Sequence, residues 1–268
     1  MKKLILFLFL CSSVAFAQKS YKKSLQGVKK VRIESGADIT VVAGTTNQLI
    51  IEEIHEDSGD RHRDRFPLRN EDSKKKKSRK DGLRAIYPGG EDNTDGFGFS
   101  ITTENGVLVV KDLKSHFQRE DIKVTLPKTM NIDVDSGNLG GIVVDGFSSE
   151  VEADANVGEI TLKNVTGPIT AHTSTGTISV VFTKVNQSAP ITISSSVGEI
   201  DVALPASTKA NLNIRTNGTV YTNFDFKAPP KKGLPNRSGL KNIEKALNGG
   251  GVKIKLKSSM GNIYLRKN

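Results

Sequence analysis

The sequence predicts an all-β fold: a β-solenoid (β-helix-like) with coils of about 20 residues and two irregular basic insertions. Three observations predict it. The pattern Gly-x-(Ile/Leu/Val)-x-(Val/Leu) recurs at Gly158-Glu159-Ile160-Thr161-Leu162, Gly176-Thr177-Ile178-Ser179-Val180, Gly198-Glu199-Ile200-Asp201-Val202 and Gly261-Asn262-Ile263-Tyr264-Leu265, with a weaker copy at Gly218-Thr219-Val220-Tyr221-Thr222. Starting from the partial copy Gly137-Asn138-Leu139, the glycines are 21, 18, 22, 20 and 43 residues apart, the last gap being two periods with an insertion. A second apolar-polar strand starts seven residues before four of these glycines, at Val151, Ile169, Ile191 and Ile254. Between the two strands lie short Ser/Thr/Asn/Gly arms, read as turns: Thr173-Ser174-Thr175, Ser194-Ser195-Ser196-Val197 and Lys257-Ser258-Ser259-Met260.

Strict alternation marks strands with one buried face. A single coil cannot bury that face alone, but coils stacked about 4.8 Å apart place like on like. One inward ladder is expected through Ile160, Ile178, Ile200, Val220 and Ile263. Its neighbour runs through Leu162, Val180, Val202 and Leu265. The competing architecture is an antiparallel sandwich with chance glycine spacing, which the constant offsets disfavour.

The N-terminus reads as an export signal. Lys2 and Lys3 precede the apolar run Leu4–Leu10, and Ala15-Phe16-Ala17 fits a cleavage site, so residues 1–17 are expected to be removed and the mature chain to begin at Gln18. Cys11, the single cysteine, lies in this leader behind Leu10, where a lipoprotein signal would have a small residue. One cysteine excludes a disulfide scaffold. A membrane-embedded bundle is excluded because only the leader forms a long apolar run, and that run is too short to span.

Residues 18–268 are expected to form one domain. Val31–Val41 has the same strand–turn–strand form as the coils, and Leu49–Ile54 continues it. Residues 55–84 form the first insertion, with eleven Lys/Arg against seven Asp/Glu, including Lys74-Lys75-Lys76-Lys77. Val107–Val110 and Ile122–Pro127 resume the strands. Residues 227–250 form the second insertion, rich in Pro, Gly and Lys, with a short helical turn expected at Leu240–Leu247. Residues 19–32 add six Lys/Arg and no acid, whereas residues 130–225 hold ten acids and four bases. The formal net charge of +10 therefore sits in loops and ends around an acidic body. The basic segment 19–30 and the tail Arg266-Lys267-Asn268 are expected to shield the ends of the stack from edge pairing.

The chain resembles the putative-adhesin domain family of exported bacterial proteins, a family of largely unknown function, with the head-GIN putative autotransporter adhesins as looser relatives. The resemblance lies in Ser35-Gly36-Ala37-Asp38-Ile39-Thr40-Val41, Gly82–Pro88 followed by Asp92-Asn93-Thr94, Val124-Thr125-Leu126-Pro127, the central coils, and Leu247–Val252 leading to Gly261–Leu265, roughly residues 28–266. It implies a β-solenoid-like cell-envelope or surface protein of Bacteroidetes type. The basic stretch 61–80 is longer than the family pattern.

No residue is assigned as catalytic, cofactor-binding or metal-binding, and no cofactor is expected. His55, His62, His116 and His172 have no metal-ligand spacing, and Gly-x-Ser-x-Gly and Walker patterns are missing. Asp133, Asp135, Asp154, Glu159, Glu199 and Asp201 lie on coil strands. Glu159 and Glu199 should be two coils, about 10 Å, apart, wider than an acid–base pair across a glycosidic bond. Thr161, Thr170, Ser179, Thr192 and Asn213 are expected to face outward. The chain therefore reads as a non-enzymatic, exported binding module, located in the periplasm, on the outer surface or secreted, that displays polar faces to a glycan or an envelope protein. Weak contact of the basic loops with anionic envelope surfaces is a further expectation. The leader and the lack of aromatics among the lysines argue against nucleic acid. A polysaccharide-active β-helix enzyme and a periplasmic envelope-signalling accessory are the alternatives. A concave cluster of three or more carboxylates would favour the enzyme.

Overall fold

The computed structural model describes residues 20–54, 83, 85–115, 118–225 and 241–268, with the backbone only at Lys241. The leader, most of insertion 55–84, residues 227–240, and His55, His62 and His116 lie outside the described residues. The described chain opens with β1 (Ser20–Ser24), β2 (Lys30–Glu34), β3 (Ile39–Gly44) and β4 (Gln48–Ile54). A hairpin of β5 (Phe99–Glu104) and β6 (Val107–Asp112) turns on Asn105-Gly106, both at positive φ (53° and 81°), as a tight two-residue hairpin loop requires. β7 (Asp121–Pro127) follows. Then come paired strands: β8 (Asn131–Asp135) with β9 (Ile142–Asp145), β10 (Val151–Val157) with β11 (Ile160–Val165), and β12 (Ile169–Thr175) with β13 (Ile178–Phe182). The series ends with β14 (Ile191–Val197) and β15 (Ile200–Leu204), β16 (Ala210–Thr216) and β17 (Val220–Thr222), β18 (Lys241–Leu247), and β19 (Val252–Met260) and β20 (Ile263–Lys267).

The fold is all-β, with no α-helix among the described residues. Two ten-stranded sheets, largely parallel, face each other across the core. Each coil gives one strand to each sheet. Sheet A runs β1-β4-β7-β3-β9-β11-β13-β15-β20-β17, and sheet B runs β18-β16-β19-β14-β12-β10-β8-β2-β6-β5. Both expected ladders form. Ile160, Ile178, Ile200 and Ile263 are stacked and fully buried, and so are Leu162, Val180, Val202 and Leu265. The facing rows in sheet B, such as Val31-Ile132-Val151-Ile169, are equally dry. Each such side chain contributes about 1.5–3 kcal/mol through burial.

The coils do not stack in chain order. The first coil, β2–β3, lies between β6–β7 and β8–β9, and the last, β19–β20, lies between β14–β15 and β16–β17. Ile263 therefore sits between Ile200 and Val220 in the ladder. The chain reaches this slot through β18, which pairs antiparallel on the outer side of β16. Asn248, Gly249 and Gly250, all at positive φ (48°, 84° and 86°), then carry the backbone past the start of β16. The Asn248 side-chain amide fixes this crossing by donating to the Ala206 and Thr208 carbonyls (3.0 and 2.8 Å). The expected helical turn at Leu240–Leu247 is thus corrected to a strand over Lys241–Leu247, with Ile243 opposite Ile214 and Leu247 opposite Ala210.

Antiparallel strands finish three of the four sheet ends: β4 and basic β1 beyond β7, β5 beyond β6, and β18 beyond β16. The tail does not shield an end as expected, because Arg266 and Lys267 belong to β20, inside the stack.

The glycine column has a steric cause. A β-carbon on Gly176 would collide with the Gly158 carbonyl oxygen, and one on Gly198 with that of Gly176. The residues beside the glycines, read as turns, are instead the ends of strands β12, β14 and β19. Their hydroxyls point inward in one row. Thr173, Ser195, Ser258 and Thr216 are buried and donate to the carbonyls of Gly158 (3.1 Å), Gly176 (3.1 Å), Gly198 (2.8 Å) and Gly261 (2.6 Å). Polar side chains are tolerated there because each bonds to a glycine carbonyl of the adjacent coil.

Candidate binding faces

Alternation places every second side chain of each strand on an outer face, and parallel register lines these residues up across the sheet. On sheet B this generates two rows. The first runs Arg32, Asp133, Glu152, Thr170, Thr192, Lys255, Asn213, Glu244 from β2 to β18. The second runs Glu34, Asp135, Asp154, His172, Ser194, Lys257, Arg215, Asn242. The face is acidic at one end, hydroxyl-rich in the middle and basic at the other. Arg32 Nε donates to Asp133 Oδ2 (2.8 Å) and Lys30 Nζ to Glu152 Oε2 (2.7 Å). The Asp154 carboxyl titrates above the ordinary carboxylate value. Partial burial is the main cause, the Asp135 and Asp133 charges add to it, and His172 opposes it. His172, on the outer face, has Nδ1 3.0 Å from Ser194 Oγ.

Sheet A carries an aromatic platform at its C-terminal end. Tyr221 on β17 and Tyr264 on β20 are register partners whose rings stack at 5.2 Å and 11°. β17 is the outermost strand of the sheet, so Tyr221, 51% exposed, presents its other ring face away from the stack. Polar groups surround the pair. Tyr264 Oη and the Asn262 side-chain amide both donate to Glu199 Oε1 (3.1 Å each). Arg266 Nε contacts both Asp201 oxygens (2.7 and 3.0 Å), and its guanidinium lies 5.5 Å from the Tyr264 ring centre. Two of the six carboxylates singled out from the sequence, Glu199 and Asp201, thus support the tyrosines. The tyrosines themselves were missed. The signal was in the repeat: both stand three residues after their glycine, where other coils have Thr161, Ser179 and Asp201.

The remaining carboxylates go elsewhere. Asp133, Asp135 and Asp154 are neighbours on the acidic part of sheet B. Glu159 lines a corner groove of about 800 Å³ with Asp38, Arg119, Asp121 and Leu139. A second concavity of about 470 Å³, also lined by Arg119 and Leu139, holds Glu34, Asp112 and Asp135. The Asp112 carboxylate is fully buried there, accepting from Ser35 Oγ and the Lys114 amide (2.9 Å each). Along the same corner the exposed apolar residues Leu139 and Val157 are neighbours, as are Val197 and Met260, with Thr175 between the two pairs. Among the described residues, no group of three or more His, Cys, Asp or Glu is arranged to hold a metal ion, and no helix is long and apolar enough to cross a membrane.

Among the solved structures similar to this chain are two with adhesion names. One is a putative cell adhesion protein from Clostridium sporogenes, with 10% identity and a TM-score of 0.47, covering 93% of this chain and 99% of that one. The other is a putative adhesin from Bacteroides fragilis, with 13% identity and a TM-score of 0.34, covering 93% and 96%. No curated protein matches the sequence. The model of the Toastrack DUF4097 family matches residues 99–266, which is every coil from the β5–β6 hairpin to β20. By that match the chain belongs to the Toastrack DUF4097 family.

Proposed function

We propose that this protein is a non-enzymatic, exported envelope or surface module that binds a glycan on the outer face of sheet A. The observation that carries this reading is the Tyr221–Tyr264 pair, an exposed aromatic surface ringed by acid, amide and guanidinium groups. A pyranose ring has an apolar C–H face and equatorial hydroxyls. The open face of Tyr221 suits the first, and Glu199, Asp201, Asn262 and Arg266 suit the second, both as donors and as acceptors. The leader-like residues 1–17 support export. The adhesion names of the two similar structures agree with a binding role.

The test is a glycan-array screen of the mature protein beside the Tyr221→Ala variant. A hit that weakens at least about 10-fold in the variant, at unchanged melting temperature, is expected, since losing one aromatic stacking partner removes about 1.5 kcal/mol or more. A glycan hit that Tyr221→Ala leaves untouched contradicts the site.

One observation favours a second reading, a polysaccharide-active enzyme: Glu34, Asp112 and Asp135 share a concavity. Two of the three are already committed, Asp112 to Ser35 and the Lys114 amide and Asp135 Oδ1 to the Gly137 amide (2.7 Å), and for that reason we rank this reading below the first. It predicts polysaccharide cleavage by the wild type that Asp135→Asn abolishes.

A further inference from the structure

The outer face of sheet B is complementary to itself. Eight of its ten strands, counted in to the β18 edge, run β2, β8, β10, β12, β14, β19, β16, β18. Consider a twofold axis parallel to the strands, above the gap between β12 and β14. It lays a second copy face to face on the first, with β10 over β19, β8 over β16 and β2 over β18, and keeps the two rows in register. In the second row Asp154 then meets Lys257, Asp135 meets Arg215, Glu34 meets Asn242 and His172 meets Ser194. In the first, Glu152 meets Lys255, Arg32 meets Glu244, Asp133 meets Asn213 and Thr170 meets Thr192. Every acid finds a base or an amide, and no like charges are opposed.

We propose that this face is an isologous dimer interface whose partner is a second copy of the chain. Charge complementarity is the first argument. Among the described residues, Asp135, Asp154, Lys255, Lys257 and Arg215 have no ion-pair partner within the chain. Area is the second. Eight strands at about 4.8 Å and strand lengths near seven residues give roughly 800 Å² per protomer, the size of a standard specific interface. Symmetry is the third, because a twofold contact must match a patch to itself, and here acid and base zones lie equally far from the axis. This interface leaves sheet A outward on both protomers. The dimer would offer two tyrosine platforms, although the proposal stands without any glycan being bound.

Sedimentation equilibrium at low ionic strength tests it with four samples: wild type, Asp154→Lys, Lys257→Asp, and an equimolar mixture of the two variants. Each variant alone opposes like charges at two symmetric contacts and is expected to weaken dimerisation at least about 100-fold. Their mixture restores both contacts in a heterodimer, since Lys at 154 of one copy meets Asp at 257 of the other while the native Lys257 and Asp154 pair on the opposite side. Asp135→Arg with Arg215→Asp repeats the test at a second contact. Wild-type dimers that weaken with salt, variants that stay monomeric alone, and recovery on mixing are the predicted result. A monomeric wild type at low ionic strength, variants that dimerise like the wild type, or a mixture no better than either variant would each overturn the proposal.

Discussion

A chain truncated after Gly250 is expected to lose the cooperative fold of its C-terminal half, not just one coil. The removed segment carries β19 and β20, which occupy the middle of the stack between β14–β15 and β16–β17. Val252, Ile254, Leu256, Ile263 and Leu265 leave the core with it. At about 1.5–3 kcal/mol each, their burial amounts to about 8–15 kcal/mol, as much as the whole stability of an ordinary domain. β16 and β17 would have nothing to pair with on their inner side, and β18, which pairs only with β16, would be cut off with them. Thermal unfolding followed by circular dichroism checks this. A solenoid stacked in chain order would lose only its terminal coil, so a truncated protein that melts cooperatively near the wild-type temperature contradicts the interleaved order.

Substituting Gly198→Ala is expected to cost about 3 kcal/mol or more, near the upper end for overpacking. The new methyl has nowhere to go. It meets the backbone carbonyl of Gly176, which the Ser195 hydroxyl and the ladder hold in place. The φ of Gly198, 154°, adds strain for any residue with a side chain. Relieving the clash requires separating two coils, which breaks the hydrogen bonds on either side. Gly89→Ala is the control, because its β-carbon would make ordinary contact with the Leu113 side chain. Chemical denaturation of the two variants should separate them by several-fold in lost stability, and equal small losses would show that the column is not tightly stacked.

The ladders were legible because a glycine that tolerates no side chain fixes the phase of each coil, and period-2 alternation then tells inside from outside. The order of the coils was not legible, because nothing in Gly261–Leu265 distinguishes a coil added at the end from one inserted in the middle. β18 was misread for a reason of spacing. Ile243 and Leu247 are four residues apart, which suits one face of a helix and one face of a strand equally. Thr173, Ser195 and Ser258 were read as turn formers because their buried acceptors are glycine carbonyls of another coil, distant in sequence. For the candidate sites, the carboxylates stood out one by one. Their neighbours did not. Tyr221 and Tyr264, or Asp154 and Lys257, come together on a face only once the stack is assembled.

The interleaved stack is tested most directly by disulfide formation in a Cys11→Ser background, which contains no other cysteine. Ser194 and Lys257 are register partners on β14 and β19, while Arg215 on β16 is one strand further away. Adjacent parallel strands are about 4.8 Å apart, within reach of a disulfide, and strands two apart are not. Rapid oxidation of the Ser194→Cys/Lys257→Cys double variant, with none for Ser194→Cys/Arg215→Cys, is the predicted result. The reverse pattern would place β16 against β14 and contradict the account.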